Sequence, residues 1–523
     1  MKFKIMILLV FLVQWAQAQT LYNVVNFGAK GDGKTINTTA LQKAIDKCNA
    51  DGGGRVVFPT GTFVTGTIHL KSNVELYLTA TAVIKGVADM GLYPPVPSGK
   101  RSSLIHAFEQ HNIAILGPGK IDGSGDASVF QGGGTHDGIE GRPFAVHFRK
   151  CTDVRLKEFT AINAAFWTLK MEENDRTNVD GIKVISRVVA NNDGIDIVDC
   201  HNTTVANSYF DCGDDAICPK SDNLTGVKNL VITNCIIKSE SNGIKFGTSG
   251  LGGFEDVTIS NCVITDTRLS GIAIQMVDGG KINRLSINNI VMHNVNGSIA
   301  IKLGKRRGGK GSLKNISISN VTADGIGAWR PDKTKAYYKE TVDPRVGIVI
   351  TGLPNNPIEN VSFSNIKLQF YGGGKVEDAD RIMKDLPSSY PEYSNYGVTP
   401  AYGFNCRHVN NISFHNVTLD YVNQDARPAL FFDFVNGLEI NNLKAKADAS
   451  ARAFVSMQNV ADVFIHNSKA AAVPIPFAFI AGNASDVTII NNDFHKIKAV
   501  FSRSPTAVTE VNAQNNLLVQ TEK

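Results

Sequence analysis

A short sequence frame recurs along most of this 523-residue chain, and it constrains the fold more than any other feature. In most copies an Asn, Asp or Arg precedes a run of alternating apolar and variable residues, as at residues 229–232 and 256–259. Alternation with a period of two is typical of a β-strand with one buried face. The first inward positions of successive copies are assigned to Val154, Val179, Thr203, Leu230, Val257, Leu285, Ile316, Val361, Ile412, Leu438, Val463 and Val487.

The spacing of these copies predicts the architecture. Most copies are 24 to 28 residues apart, and the two longest steps are 45 and 51 residues. A period of this size indicates a solenoid in which each repeat forms one coil. Because no helical pattern separates the copies, we predict an all-β, single-stranded, right-handed parallel β-helix. A β-sandwich would need hairpin turns about every 8 to 12 residues, and the sequence lacks them.

A fixed place in the frame carries Asn in most copies. Asn suits tight turns, and its side chain can hydrogen-bond to the equivalent Asn of the next coil. We therefore predict a structural ladder of stacked Asn side chains at one turn. The positions are Asn234, Asn261, Asn289, Asn320, Asn365, Asn416 and Asn442.

Near the N-terminus the apolar residues follow helical spacing. A short helix is predicted here, with Asn37 or Thr38 as its N-terminal cap and the glycines at residues 52–54 as its stop. Such a helix would cap the open end of the solenoid, where strand edges are otherwise unpaired. Its predicted buried residues are Leu41, Ala44, Ile45 and Cys48.

The chain contains eight Cys residues. Cys235 and Cys262 occupy the same place in successive copies, as stacked core residues would. Free buried thiols are the favoured interpretation, while a bridge such as Cys200–Cys212 or Cys218–Cys235 stays open.

Two acidic segments, residues 191–196 and 213–217, carry the strongest functional signal. Asp193 and Asp214 lie 21 residues apart, so coiling should place them on neighbouring coils, with Asp215 beside them. Hydrolysis of a glycosidic bond needs one carboxylic acid to protonate the leaving oxygen and a carboxylate to activate water. Close like charges raise the pKa of at least one carboxyl group, which then stays protonated. The cluster therefore predicts a glycoside hydrolase.

Together with residues 25–33 and 166–169, these segments resemble the polygalacturonase-type, pectin-degrading glycoside hydrolases of family 28. The resemblance implies that Asp214 is the general acid and that Asp193 and Asp215 position and deprotonate water. It further implies inversion without a covalent intermediate, on a pectic polysaccharide or oligosaccharide. No cofactor and no metal are expected.

Two departures from the family pattern affect sugar recognition. Asn242 stands in the place of the His of Gly-His-Gly, and Ala-Ile-Gln at residues 273–275 replaces Arg-Ile-Lys. The two cations that would hold a galacturonate carboxylate are therefore missing. Either the leaving-group sugar is neutral, as in a rhamnogalacturonan backbone, or other cations take over. The expected substrate-binding residues are Asn242, Lys245, Lys220, Gln275 and Lys302, with Lys305 and Arg306 as further candidates in an otherwise solvated basic turn.

Two other function classes stay open. A β-helix polysaccharide lyase would need a calcium cluster and an Arg or Lys base. A non-catalytic solenoid that only binds carbohydrate is the second alternative.

The two longest steps predict loop insertions around residues 322–350 and 370–409. Aromatic-rich loops on a rigid scaffold are common ligand-binding elements. Either they close one end of the substrate groove, which favours attack at chain ends, or they pack on each other. Their aromatic residues are Trp329, Tyr337, Tyr338, Tyr371, Tyr390, Tyr393, Tyr396 and Tyr402.

Residues 1–18 resemble a signal peptide, with Lys2 and Lys4 before an apolar stretch and Ala-Gln-Ala at residues 16–18. We therefore expect export to the periplasm or the cell exterior, with residues 19–523 forming a single β-helix catalytic domain. No later stretch approaches 20 apolar residues, so no membrane span is predicted. The net charge of +5 is too small to indicate a nucleic-acid partner, and a monomer is expected.

Overall fold

The computed structural model describes residues 20–95, 103–132, 141–332, 338 and 340–518. These residues wind into a right-handed parallel β-helix, which confirms the predicted fold class. The predicted signal peptide lies outside the described residues. Within the described ranges, none of the helices has the length and apolar character needed to cross a membrane.

The first part of the solenoid consists of short strands separated by turns. These strands are β1 Leu21–Asn23, β2 Asp32–Ile36, β3 Gly54–Phe58, β4 Gly61–Thr65, β5 Ile68–His69, β6 Val74–Leu78, β7 Ala82–Gly86, β8 Ser103–Phe108, β9 His111–Leu116, β10 Lys120–Asp122, β11 Phe144–Arg149, β12 Thr152–Lys157, β13 Thr160–Ile162, β14 Leu169–Glu172, β15 Asp175–Asp180, β16 Lys183–Ser186, β17 Ile195–Val198, β18 His201–Ala206, β19 Tyr209–Cys212, β20 Ile217–Lys220, β21 Val227–Thr233, β22 Ile236–Ser239 and β23 Ile244–Phe246.

In the later coils most strands continue through the turns and are longer. They are β24 Gly253–Met276, β25 Lys281–Leu303, β26 Ser312–Ile326, β27 Ile348–Thr351, β28 Ile358–Gly372, β29 Phe404–Asn423, β30 Leu430–Ala445, β31 Val455–His466, β32 Pro476–Ile490, β33 Ala499–Arg503 and β34 Val511–Asn512.

Each coil has three faces, and equivalent strands pair in parallel from coil to coil. On the first face β17 pairs with β20, on the second β18 with β21, and on the third β19 with β22. Inside the first face, one buried Ile follows another in register: Ile195, Ile217, Ile244, Ile272 and Ile299. Burying such a side chain contributes about 1.5–3 kcal/mol, so each coil adds to a rigid wall. The outward positions of this wall carry the candidate site.

One copy of the predicted frame is wrong by two residues. Val154 pairs with Thr177, not with Val179. Thr177 points inward and is only 2% exposed, so a polar residue occupies a position that the apolar pattern could not reveal. The copies from Thr203 to Val487 are in register as predicted.

The predicted Asn ladder is confirmed. Asn365 Nδ2 donates to Asn320 Oδ1 at 3.0 Å, and Asn416 Nδ2 donates to Asn365 Oδ1 at 3.0 Å. The three residues have φ of 56°, 55° and 56°, a left-handed conformation that Asn tolerates better than most residues. The rung at Asn320 differs, because Asn320 Nδ2 donates to Asn288 rather than to Asn289.

The predicted N-terminal helix is confirmed as α1, Thr38–Ala50, and its four predicted inward residues are fully buried. It packs against β1, β3, β5 and β6 of the first coils. Asn37 precedes the helix as expected, but its side chain does not cap it. Instead Asn37 Oδ1 accepts a hydrogen bond from the Lys30 amide at 2.7 Å, which ties the helix to the chain before it.

All eight Cys side chains are buried as free thiols, which confirms the favoured interpretation and excludes the two disulfides left open. Cys235 and Cys262 lie in equivalent positions of neighbouring coils, where the Val263 amide donates to the Cys235 carbonyl. A buried free Cys behaves as a small apolar residue, so these side chains belong to the core.

Two long connections leave the coils, one after β26 and one after β28. The first, residues 327–347, brings Tyr338 to the face that carries β17 and β20. The second, residues 373–403, contains the 3₁₀ turns Val376–Asp380 and Tyr393–Tyr396 and reaches the same face.

Candidate active site

The three predicted catalytic acids meet on the first face, just before β17 and β20. Because these strands pair in register, Asp193 lies beside Asp215 on the next coil, and the Gly194 amide donates to the Asp215 carbonyl at 2.9 Å. A carboxylate oxygen of Asp193 lies within 4.8 Å of one of Asp215. Asp214 immediately precedes Asp215, so the structure brings all three carboxyl groups together.

The turn that carries the adjacent acids is pressed against the preceding coil. A Cβ atom at Gly213 would lie 3.1 Å from Arg187 Cα and 3.3 Å from Asn192 Cβ, so a larger residue would push the turn away. The Asp214 amide donates to the Asn192 carbonyl at 3.3 Å, and Ser239 Oγ donates to the Asp214 carbonyl at 2.7 Å. The backbone of the acids is therefore fixed between its two neighbouring coils.

The surroundings of Asp214 favour its protonated form. Burial, followed by the charge of Asp215, raises the pKa of Asp214 above its usual value. Tyr338 OH donates to Asp214 Oδ2 at 2.6 Å, which opposes this shift without reversing it. Removal from water disfavours a charged carboxylate, so Asp214 keeps its proton at a pH where an ordinary Asp has lost it.

Asp215 has the opposite surroundings. Lys245 Nζ lies 3.0 Å from Asp215 Oδ2, while the side-chain and backbone nitrogens of Asn242 donate to Oδ1 at 2.8 and 3.1 Å. Burial raises the pKa of Asp215, but Lys245, Asn242 and Lys220 together outweigh burial and the pKa is lowered. Two residues adjacent in sequence are therefore driven to opposite protonation states.

Asp193 shares the cation of Lys220 with Asp196. Lys220 Nζ lies 3.1 Å from Asp193 Oδ2 and also donates to Asp196 Oδ1. It lies 3.6 Å from the centre of the Trp167 ring, within cation–π distance. Burial raises the pKa of Asp193 well above its usual range, although Lys220 lowers it in part. Asp196 is fully buried and holds Lys220 in place.

A segment of the second insertion, residues 387–396, crosses the first face, and we call it the strap. Glu392 Oε1 lies 3.0 Å from Lys245 Nζ and accepts a hydrogen bond from Asn242 Nδ2 at 3.3 Å. Tyr390 OH accepts a hydrogen bond from Lys245 Nζ at 3.2 Å. The strap is therefore anchored to the two residues that hold Asp215.

The strap also covers Gln275 and Lys302. Gln275 Nε2 donates to the Pro391 carbonyl at 3.4 Å, and Lys302 Nζ lies 5.2 Å from the centre of the Tyr396 ring. The two residues are 1% and 2% exposed and are not among the described residues that line the open cleft. Burial lowers the pKa of Lys302 to about 8, against the opposing charge of Glu392. Their role in substrate binding stays a prediction.

The acids open into a cleft of about 640 Å³, a size typical of ligand sites. Of the predicted substrate-binding residues, Lys220 and Lys245 line it, while Asn242 lies behind Asp215. The remaining wall includes Trp167, Arg268, Arg306, Tyr338, Tyr390 and Glu392.

Sequence reasoning missed Glu392 and Arg268. Glu392 is 150 residues from Asn242, its hydrogen-bond partner, and no local pattern marks it. The aromatic character of the second insertion was the one signal that pointed to this region. The sequence predicted Arg306 in a solvated basic turn, as a further candidate for substrate binding. In the structure Arg306 lines the cleft and donates two hydrogen bonds, of 2.8 and 2.6 Å, to Asp278.

The donor set at the acids does not favour a metal ion. Asp193, Asp215 and Cys218 place possible ligand atoms within 4.8 Å of one another. Lys220 and Lys245 already pair with the two carboxylates. Burial raises the pKa of the Cys218 thiol well above its usual value, whereas a metal binds the thiolate.

Comparison with protein families decides the assignment of the chain. The family model described as glycosyl hydrolases family 28 matches residues 48–384, more than half of the 523 residues. The chain belongs to this family. It is therefore a glycoside hydrolase, as the acidic segments predict.

Named relatives and solved structures agree with the family assignment. The chain is 27% identical over 365 residues to a probable polygalacturonase from Vitis vinifera, covering 65% of this chain and 69% of that protein. It is 26% identical over 430 residues to an exo-poly-alpha-D-galacturonosidase from Dickeya chrysanthemi, covering 68% of each. An exopolygalacturonase structure from Thermotoga maritima matches with a TM-score of 0.62 and 22% identity, covering 77% of this chain and 92% of that one. This last likeness supports the fold.

Proposed function

We propose that this family 28 enzyme hydrolyses glycosidic bonds in the galacturonan or rhamnogalacturonan backbone of pectic polysaccharide. The names of its relatives, polygalacturonase and exo-poly-alpha-D-galacturonosidase, support this substrate class. The observation that carries the mechanism is the meeting of Asp193, Asp214 and Asp215 at one cleft. There Lys245 and Asn242 hold the two oxygens of Asp215, and Tyr338 donates to Asp214. The raised pKa of Asp214 and the lowered pKa of Asp215 agree with this arrangement.

In this proposal Asp214 is the general acid. A sugar alkoxide leaves readily only when its oxygen receives a proton as the bond breaks. Asp214 lines the cleft, and because its pKa is raised it keeps a proton to donate at a pH where an ordinary Asp has lost its proton. The hydrogen bond from Tyr338 orients the carboxyl group and stabilises the carboxylate left after proton transfer.

Asp215 and Asp193 act on the water molecule. Asp215 remains ionised because Lys245 and Asn242 hold both of its oxygens, so it can accept a proton from water. Asp193, tied to Lys220, positions the same water from the neighbouring coil. The water oxygen then bonds to the anomeric carbon opposite the leaving group, which inverts its configuration without a covalent intermediate.

The predicted binding residues divide according to their access to the cleft. Lys220 and Lys245 face the cleft and contact the sugar next to the acids, while Asn242 acts through Asp215. Gln275 and Lys302 meet substrate only when the strap is displaced, because the strap buries both.

We further propose attack at chain ends. The strap crosses the coils beyond Lys245, and Tyr393 of the strap occupies the space above Gly297, where a Cβ would lie 2.8 Å from the ring. A long polysaccharide therefore cannot continue along the face past this point. A closed cleft end accepts the last sugars of a chain, so the first products are predicted to be short and uniform.

The remaining proposals concern the setting of the enzyme. The signal-peptide pattern of residues 1–18 supports export, to the periplasm or the cell exterior. The enzyme is proposed to act as a single-domain monomer over residues 19–523.

Digestion of purified pectic chains tests the proposal. Polygalacturonate and a rhamnogalacturonan backbone are compared, with product length followed from the first minutes. Asp214→Asn is expected to lower turnover of these chains by about 10²–10⁴-fold and to spare binding. Hydrolysis at the wild-type rate by this variant, or products carrying a new double bond, would contradict the proposal and favour a lyase.

A further inference from the structure

The cations that surround the cleft differ in what they already bind. The ion pairs are Lys220–Asp193, Lys220–Asp196, Lys245–Asp215, Lys245–Glu392, Arg306–Asp278 and, at 3.7 Å, Arg307–Asp278. Arg268 lines the same cleft, and within the described residues no carboxylate lies at ion-pair distance from it. Among the described residues that line the cleft, Arg268 is therefore the cation whose charge is not already paired with a carboxylate.

Arg268 is also held in a fixed orientation. Its Nε donates to the Glu240 carbonyl at 2.7 Å, and its guanidinium carbon lies 4.8 Å from the centre of the Tyr338 ring. Asn296 Nδ2 donates to the Arg268 carbonyl at 3.0 Å and fixes the backbone. Across the described part of the chain, neither Nη group has a hydrogen-bond partner. The guanidinium thus offers a planar pair of donors, the geometry that matches a carboxylate.

Tyr338 connects this pair of donors to the proposed acid. The face of its ring supports the Arg268 guanidinium, and its OH donates to Asp214 Oδ2 at 2.6 Å. A sugar whose glycosidic oxygen reaches Asp214 therefore lies next to Arg268. A uronic acid would place a carboxylate in this neighbourhood, whereas a neutral sugar would leave the guanidinium without a counter-charge.

We propose that Arg268 binds the carboxylate of a uronic acid beside the scissile bond and selects uronate-containing chains over neutral ones. The inference rests on the proposed function, because it places a pectic chain in this cleft. It also explains how the chain can lack cations at residues 273–275: a cation from another position on β24 supplies the charge.

Binding measurements with a charged and an uncharged form of one oligosaccharide test the inference. Oligogalacturonate and its methyl ester share one sugar backbone, but each carboxyl group of the ester carries a methyl group and no charge. Their dissociation constants are measured by calorimetry on Asp214→Asn protein, with Arg268 intact and with Arg268→Gln. Arg268→Gln is expected to weaken binding of the acid about ten- to hundred-fold, the loss of one or more charge-assisted hydrogen bonds, and to change binding of the ester little. Arg268→Lys keeps the charge without the paired donors and should retain part of the preference.

The control is Arg284→Gln, since Arg284 is 53% exposed and pairs with Asp256. It should leave both dissociation constants unchanged. Equal weakening of acid and ester by Arg268→Gln, or no weakening of either, would overturn the inference. Failure of the proposed function is a separate result, because it appears as undiminished hydrolysis by Asp214→Asn and not in the acid-to-ester ratio.

Discussion

Replacing Lys245 by Met removes the cation that links Asp215 to the strap and keeps a side chain of similar length. Lys245 Nζ lies 3.0 Å from Asp215 Oδ2 and 3.0 Å from Glu392 Oε1. The side chains of Lys245, Asp215 and Glu392 are only 4%, 6% and 10% exposed, so water screens these charges little. The variant leaves two carboxylates facing each other across an apolar thioether.

The expected cost follows from this burial. Removing one partner of a buried ion pair destabilises a protein by about 3–5 kcal/mol, because the remaining charge has no partner. In the wild type the lowered pKa of Asp215 means that its ionised form stabilises the fold at pH values above 3.8, the ordinary pKa of Asp. This stabilisation is lost as the pH falls through the pKa that Asp215 has in the folded protein. Without Lys245 the pKa of Asp215 is raised instead. The loss of stability should therefore be greatest near neutral pH and should shrink as the pH falls toward the raised pKa.

Two assays measure the effect of Lys245→Met. Denaturant unfolding at several pH values reports the stability change, and the pH–rate profile of hydrolysis reports the base. The acid limb of that profile is expected to move to higher pH. Lys281→Met is the matched control, since Lys281 pairs with Glu255 at 3.0 Å but is 55% exposed. Its free energy of unfolding is expected to change by about 0–1 kcal/mol, and the acid limb of its pH–rate profile should not move. A folded Lys245→Met protein whose acid limb stays in place would refute the claim that Lys245 keeps Asp215 ionised.

Three further predictions follow from the same contacts. Glu392→Gln removes the second carboxylate that faces Lys245, so the acid limb should move to lower pH; a shift to higher pH would contradict this. Tyr338→Phe removes a hydrogen bond that lowers the pKa of Asp214, so that pKa, already raised above 3.8, should rise further. The alkaline limb of the pH–rate profile should therefore move to higher pH. An unchanged alkaline limb would show that Tyr338 does not act on Asp214. Activity should survive a chelator in a simple hydrolysis assay, and its loss would point to a metal at the acids.

The fold was predictable because each coil obeys the same local rule. Alternating residues, a turn Asn and a nearly fixed period determine which strands pair, and this register also places Asp193 beside Asp215. Thr177 marks the limit of the pattern, since its inward position is set by the stacked coils and not by its own polarity.

The rest of the site depends on contacts between distant segments. Glu392 reaches Asn242 from an insertion, and the same insertion buries Gln275 and Lys302, which we predicted to bind substrate. An insertion does not follow the repeat of the coils, so the spacing of the repeats could not predict which residues it contacts. The importance of Arg268 likewise emerges only when the partners of every other cleft cation are known.

The central claim is that Asp214 gives a proton to the leaving group while Asp215 takes one from water. Hydrolysis rates of Asp214→Asn and Asp215→Asn on two substrates test it most directly, one an oligogalacturonate and the other an aryl galacturonide with an acidic phenol. The hydrolysis rate of Asp214→Asn should fall about 10²–10⁴-fold on the oligosaccharide and far less on the aryl substrate, whose phenol leaves without protonation. The rate of Asp215→Asn should fall strongly on both substrates. The reverse pattern, with Asp215→Asn rescued by the aryl leaving group and Asp214→Asn not, would contradict the account.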